Sequence, residues 1–152
     1  MNDDPLLPSD LPGTHTVLVV DDAGVVRRLA YRLLSEAGYR VFEAGSAIEA
    51  IEVMSLAHGR VDAVLIDVVM PEVSGVDLAR MLQESTPGVG IVFMSAYPAE
   101  VLVREGLHDL RVDFLAKPFT REDLLRAVAS AAKATARGRV TGEHREADRR
   151  GN

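Results

Sequence analysis

The chain contains no cysteine, so disulfides and thiolate metal sites are excluded. No apolar run approaches the roughly 20 residues that crossing a bilayer requires. The N-terminus, MNDDPLLPSDLPG, carries acids and prolines where a signal peptide would have a basic stretch and then an apolar one. A cytoplasmic protein is the simplest reading. Lysine is scarce: Lys117 and Lys133 stand against fifteen arginines. Basic excess is missing too. A net charge of −6 disfavours broad nucleic-acid binding, which needs a basic footprint, and suits a metal cation better.

What is present is enough for one folded domain. The chain has 152 residues and an apolar fraction of 47%, ordinary for a protein with a proper core. Residues 1–15 hold three prolines and three aspartates without periodicity, and read as a flexible leader. From Thr16 short apolar runs alternate with amphipathic stretches. The runs are Val17–Val20, Tyr39–Glu43, Val61–Ile66, Gly90–Met94 and Val112–Leu115, each with the length and β-branched content of a buried strand.

Five helices are expected between and after them. Val25, Leu29, Leu33 and Ala37 recur every four residues before a stop at Gly38. Ser46 and Glu49 form a capping box, with Ile48 and Ile51 following on one side. Ser74 caps a third helix carrying Val76, Ala79 and either Leu82 or Met81. The stretch from Pro98 to Arg111, with Val101, Val103 and Gly106, is the weakest and predicts a short or mobile fourth helix. Thr120 with Asp123 opens the last, carrying Leu124, Val128 and Ala132 with Leu125 and Ala129 beside them. Residues 135–152 are charged and poor in large apolar side chains, and read as a disordered tail. A domain over 16–134 follows, α/β in class, with a parallel sheet covered on both faces.

Such sheets bind ligands at the carboxyl ends of their strands. Asp21-Asp22 follow the first strand, Asp67 the third, Ser95-Ala96 the fourth and Lys117-Pro118 the fifth. Clustered carboxylates resist joint ionisation, and a hard divalent cation relieves them. Mg2+ prefers oxygen ligands and commonly sits between carboxylates and a phosphate; Mn2+ is a chemical substitute. Lysine is a compact point charge suited to a phosphoryl oxygen, and Ser95 offers a hydroxyl. Taken singly, Asp21-Asp22 reads as a loop end and helix cap, Asp67 as a turn residue, Ser95 as a cap and Lys117 as a solvated charge. Their joint placement at successive strand ends favours one site for a metal and a tetrahedral anion.

The stretches VLVVDDAGVVRR (17–28), VLIDVVMPEVSGVDL (64–78), IVFMSAYP (91–98) and FLAKPFTREDLL (114–125) resemble, in combination and order, the receiver domain of two-component response regulators. The resemblance implies a flavodoxin-like, doubly wound sheet of strand order 2-1-3-4-5. It implies that Asp67 accepts a phosphoryl group from a phosphohistidine on a histidine kinase or histidine phosphotransfer protein. Asp22 and Asp67 would contact Mg2+ directly, Val69 through its carbonyl, and Asp21 through a metal-bound water. Ser95, Lys117 and the Ala96 N–H would receive phosphoryl oxygens. Lys117-Pro118 is expected to be cis. Phe114 holds the switch-aromatic position and would move with Ser95, reshaping the face of the fourth helix, fifth strand and fifth helix for a downstream protein. Taken alone, Phe114 reads as core filling.

Several features depart from the family pattern. Val69, two residues after Asp67, cannot hydrogen-bond a hydrolytic water, and Tyr97, two after Ser95, stands where it would partly cover that water's approach. Slow self-dephosphorylation is expected, unless both side chains simply pack or face solvent. Leu110-Arg111 replaces a small pair before the fifth strand; with FMSAYP it is similar to the C-terminal receivers of hybrid histidine kinases. His108, nearby, reads as a surface residue. No DNA-binding domain fits after Lys133, and the arginines there are mixed with Glu143, Glu146 and Asp148. The expected protein is a signalling phosphoacceptor, monomeric or dimerising on phosphorylation, that catalyses only its own phosphorylation and slow dephosphorylation. Two other classes compete. A Mg2+-dependent phosphohydrolase with an aspartyl nucleophile usually has a second Asp where Val69 stands. A phosphorylation-independent scaffold would commonly have lost an acidic residue or the lysine.

Overall fold

A computed structural model describes residues 15–58, 60–97 and 112–133. Five strands form one parallel sheet: β1 (Thr16–Val20), β2 (Arg40–Ala44), β3 (Ala63–Asp67), β4 (Gly90–Ser95) and β5 (Val112–Ala116), in the order β2-β1-β3-β4-β5. The strand order implied by the resemblance is the observed one. Helices α1 (Gly24–Glu36), α2 (Ala47–Leu56) and α3 (Gly75–Ser85) connect them, and α4 (121–133) follows β5. The leader as far as residue 14, the expected helix over 98–111 with His108 and Leu110-Arg111, and the tail 135–152 lie outside the described residues. Among the described residues no helix is long and apolar enough to cross a membrane.

The sheet sits between two apolar layers because β1, β3 and β4 are apolar on both faces. Leu18, Val20, Val64, Ile66 and Phe93 pack with α2 and α3. Val17, Val19, Leu65, Val92 and Met94 pack with α1 and α4. All five residues of β1 are buried, as a strand flanked on both sides and covered on both faces must be.

Local signals set the helix starts. Ser46 Oγ accepts the Glu49 N–H and Ser74 Oγ the Asp77 N–H, each at 3.1 Å, and Thr120 Oγ1 accepts the Asp123 N–H at 3.0 Å. These bonds satisfy amide donors that a helix leaves open at its first turn. Glu49 reaches back to the Gly45 N–H, one residue beyond the usual partner in a capping box. On α3 the open choice falls to Leu82, which is buried, while Met81 is exposed.

The core faces of α1 and α2 differ from expectation. Along the row Val25, Leu29, Leu33, Ala37, exposure falls from 85% through 39% and a half-buried Leu33 to 3%. A row spaced by four drifts about 40° around the helix at each step, so both its ends cannot face the sheet. The buried stripe is instead Ala30, Leu34 and Ala37, with Val26 and Leu33 beside it. On α2 the sheet takes Ala47, Ala50 and Met54, and leaves Ile48 and Ile51 exposed. Small alanines let that helix lie close to β1 and β2, so the larger isoleucines point away.

Leu34→Ala is expected to destabilise the protein by about 2–5 kcal/mol. Val25→Ala should change stability by less than about 0.5 kcal/mol. Urea unfolding of both variants checks the assignment; equal costs would contradict it.

Candidate functional site

In a parallel sheet every strand ends at the same edge. Strand order reverses between β1 and β3, since β2 lies on one side of β1 and β3, β4 and β5 on the other. The crevice therefore opens where β1 and β3 end. The register pairs Val20 with Ile66, so the next rung sets Asp21 beside Asp67. The pleat turns both aspartates toward the α1 and α4 side, following Val19 and Leu65. Ser95 and Phe114 fall on the opposite side, following Phe93.

Asp21 is fully buried and held at four atoms. Its N–H donates to the Ala44 carbonyl at 3.1 Å. Its Oδ1 accepts the Ala23 N–H at 2.8 Å, and its Oδ2 lies 3.3 Å from Lys117 Nζ. Its own carbonyl accepts from Arg27 Nη1 at 2.8 Å. Asp22 is exposed. Asp67, mostly buried, accepts the Val69 N–H on Oδ1 at 3.2 Å and meets Lys117 Nζ through Oδ2 at 3.3 Å. Lys117 thus bridges two carboxylates from neighbouring strands. Its own N–H donates to the Ser95 carbonyl at 3.0 Å, and the Lys117-Pro118 peptide is cis, as expected.

The backbone around Asp67 leaves no room for a side chain at position 75. A Cβ on Gly75 would lie 2.2 Å from the Asp67 carbonyl oxygen and 2.9 Å from Val68 Cα. Glycine lets the start of α3 close against the strand end, with Gly75 N–H donating to the Val68 carbonyl at 3.0 Å.

Burial, and then the negative charge of Asp21, push the Asp67 carboxyl above its ordinary pKa of 3.8; Lys117 and the Val69 N–H offset this only in part. Carboxylate oxygens of Asp21, Asp22 and Asp67 all lie within 4.8 Å of one another. Three such oxygens against one ammonium form the hard, anionic donor set that suits a small divalent cation. The residues present fit Mg2+.

The other expected residues lie in β4 and β5 or in the loops that follow β3 and β4. Ser95 is nearly buried, and its Oγ accepts the Tyr97 N–H at 3.0 Å. Ala96 is exposed. Phe114 is half-buried and pairs in register with Phe93, the ring centroids 5.9 Å apart and tilted by 41°. Val69 and Tyr97 are 78% and 66% exposed, so neither is a core residue. Two hollows of about 510 and 700 Å3, between α2 and α3 and along α1, include none of the site aspartates in their linings.

Two residues behind the cluster were not anticipated. Arg27, besides gripping the Asp21 carbonyl, donates through Nε to Glu43 Oε1 at 3.1 Å; Arg28 Nη1 donates to the other Glu43 oxygen. Glu43 stands near the end of β2, the one strand end without an expected site residue. A charge at the end of an otherwise apolar run was the available signal.

The match to known families agrees with this geometry. The model of the response regulator receiver domain matches residues 17–129. The sensor kinase CckA of Brucella abortus is 41% identical over 120 residues, 79% of this chain but 13% of that protein. The response regulator MprA of Mycobacterium sp. (strain KMS) is 37% identical over 72% of this chain and 46% of its own length. The chain therefore spans less than half of either relative. The chemotaxis protein CheY of Thermotoga maritima is 31% identical, covering 77% of this chain and 97% of that one. The crystal structure of the receiver domain from the hybrid histidine kinase CckA aligns with a TM-score of 0.66 at 29% identity, over 77% of this chain and 98% of that one. The chain belongs to the response regulator receiver domain family of two-component systems.

The Asp67 environment carries a testable sign. In cation-free protein its carboxyl should titrate above 3.8; Lys117→Met should raise that value and Asp21→Asn lower it, as read by carbon NMR of the carboxyl against pH. A raised folded-state pKa means that the native state holds the proton more tightly than the unfolded chain. Asp67 thus adds stability at pH below its unfolded value, and that contribution is lost as pH rises through the folded value. Asp67→Asn should accordingly melt higher than wild type at neutral pH without divalent cation.

Proposed function

We propose that the protein accepts a phosphoryl group on Asp67 from a phosphohistidine carried by a histidine kinase or a histidine phosphotransfer protein. The observation that carries this reading is the single ammonium of Lys117, 3.3 Å from both Asp21 and Asp67, beside a third carboxylate on Asp22. A carboxylate nucleophile, a cation-holding pair and a phosphoryl-binding lysine thereby meet at one strand edge. Asp22, Asp67, the Val69 carbonyl and, through water, Asp21 would hold Mg2+; when bound, it offsets negative charge on the transferring group.

The chemistry asks little of the protein beyond positioning and neutralising charge. A carboxylate oxygen of Asp67 attacks phosphorus. The new O–P bond forms as the P–N bond to the donor imidazole breaks, and the bonding pair returns to the ring nitrogen. Lys117, relieved of the Asp67 charge, turns to a phosphoryl oxygen. Ser95 can do the same without losing its bond from the Tyr97 N–H, because its hydroxyl accepts one hydrogen and donates another. The Ala96 N–H supplies a further donor. Ser95 and Phe114 share one face of the sheet, so a Ser95 drawn toward the phosphoryl group opens room for Phe114. That couples the site to the surface around β5 and α4 as a shift between two packings, read by a downstream protein. The protein works in the cytoplasm, as a monomer or as a dimer formed on phosphorylation, and catalyses only its own phosphorylation and slow dephosphorylation.

Incubated with Mg2+ and acetyl phosphate, wild type should gain one phosphoryl adduct by intact mass, and Asp67→Asn none. An adduct that persists in Asp67→Asn would place the acceptor elsewhere.

Val69 gives no hydrogen bond to a hydrolytic water, and the exposed Tyr97 stands at the rim. Val69→Asn should shorten the adduct's lifetime by roughly fivefold, the worth of a hydrogen bond of about 1 kcal/mol. Decay of the adduct mass after donor removal measures it, and an unchanged lifetime would mean that this side chain only faces solvent.

A further inference from the structure

We propose that Arg27 is a positioning residue for Asp22: it sets the backbone that aims this carboxylate into the acidic cluster. The proposal rests on reading that cluster as a cation site. Asp22 is exposed, and among the described residues no hydrogen bond or ion pair orients its side chain. Its direction therefore depends on the two peptide groups that flank it, and both are pinned. The carbonyl of the peptide before it, that of Asp21, accepts from Arg27 Nη1 at 2.8 Å. The N–H of the peptide after it, that of Ala23, donates to Asp21 Oδ1 at 2.8 Å. One clamp comes from Asp21 itself. The other comes from Arg27, one turn into α1, whose own N–H donates to the Ala23 carbonyl at 3.0 Å.

A guanidinium so near a cation site is a liability unless its charge is offset. Glu43 supplies part of that offset, taking Arg27 Nε at 3.1 Å while its other oxygen accepts from Arg28. The planar fork lets one side chain bond a strand carboxylate and a loop carbonyl together. Space for it is reserved at Gly45, where a Cβ would stand 3.2 Å from Arg27 Nη1. The Arg27 side chain is three-quarters buried, consistent with a brace between β2 and the loop after β1.

Charge and positioning predict opposite signs. Removing a positive charge near three carboxylates should tighten a cation; loosening Asp22 should weaken it. Arg27→Met is expected to weaken Mg2+ binding about 10- to 100-fold, the usual scale for partners that orient metal ligands. Arg32→Met, which removes an exposed charge from the next turn of the same helix, should leave it unchanged. Isothermal titration of cation-free protein with MgCl2, without phosphodonor, reads the affinity, and thermal melting checks folding. Should Arg27→Met not fold, Arg27→Lys serves instead: it keeps the charge but cannot span both partners, and should also bind more weakly. Wild-type or tighter affinity in the folded variant would overturn the proposal. If the wild type itself bound no Mg2+, the reading of the cluster would fall, and the role of Arg27 with it.

Discussion

Like-charge repulsion at the sheet edge is the constraint around which this protein is organised. Asp21 and Asp67 stand side by side on one rung of neighbouring strands, with Asp22 beside them. In water such a group would separate or bind counter-ions. Here the strands hold it together, and burial first, then the charge of Asp21, raise the pKa of Asp67. Lys117 relieves part of that repulsion by meeting both carboxylates at once. What remains is a net negative potential at this edge, of the kind that suits a small divalent cation. A better-neutralised cluster would be more stable.

The fold supplies the rigidity this arrangement needs. The strands that end at the cluster, β1 and β3, lie inside the sheet and are buried on both faces. The cis peptide after Lys117, the cap at Ser74 and the close approach at Gly75 each belong to the loops at this edge. Behind it, Arg27 and Glu43 tie the loop after β1 to β2. Toward the other side of the sheet, Ser95 and Phe114 share a layer with Phe93. The pleat thus separates the side of the sheet that carries the aspartates from the side where Ser95 and Phe114 pack.

Most of the fold was legible along the chain because its signals are local. Each strand appeared as a short apolar run, and Ser46, Ser74 and Thr120 marked helix starts through side-chain hydrogen bonds that span only three residues. Asp67 and Lys117 were legible as charges that end apolar runs. The lining faces of α1 and α2 were not, because a four-residue spacing does not keep one side of a helix over three turns, and because the sheet prefers the slimmer alanine face to the larger isoleucines. Arg27 and Glu43 escaped for another reason. Sixteen residues separate them, and nothing in either neighbourhood announces the partner.

The class of fold, the succession of strands and helices and the residue types gathered at the strand ends are written along the chain, since they follow from periodicity, capping and the geometry of parallel sheets. Which carboxylates share one lysine, which helix faces are buried and what braces the acidic loop emerge only once the chain is folded. Those outcomes depend on register, on the rotation of each helix about its axis and on contacts between distant segments. None of the three has a signature within a window of neighbouring residues.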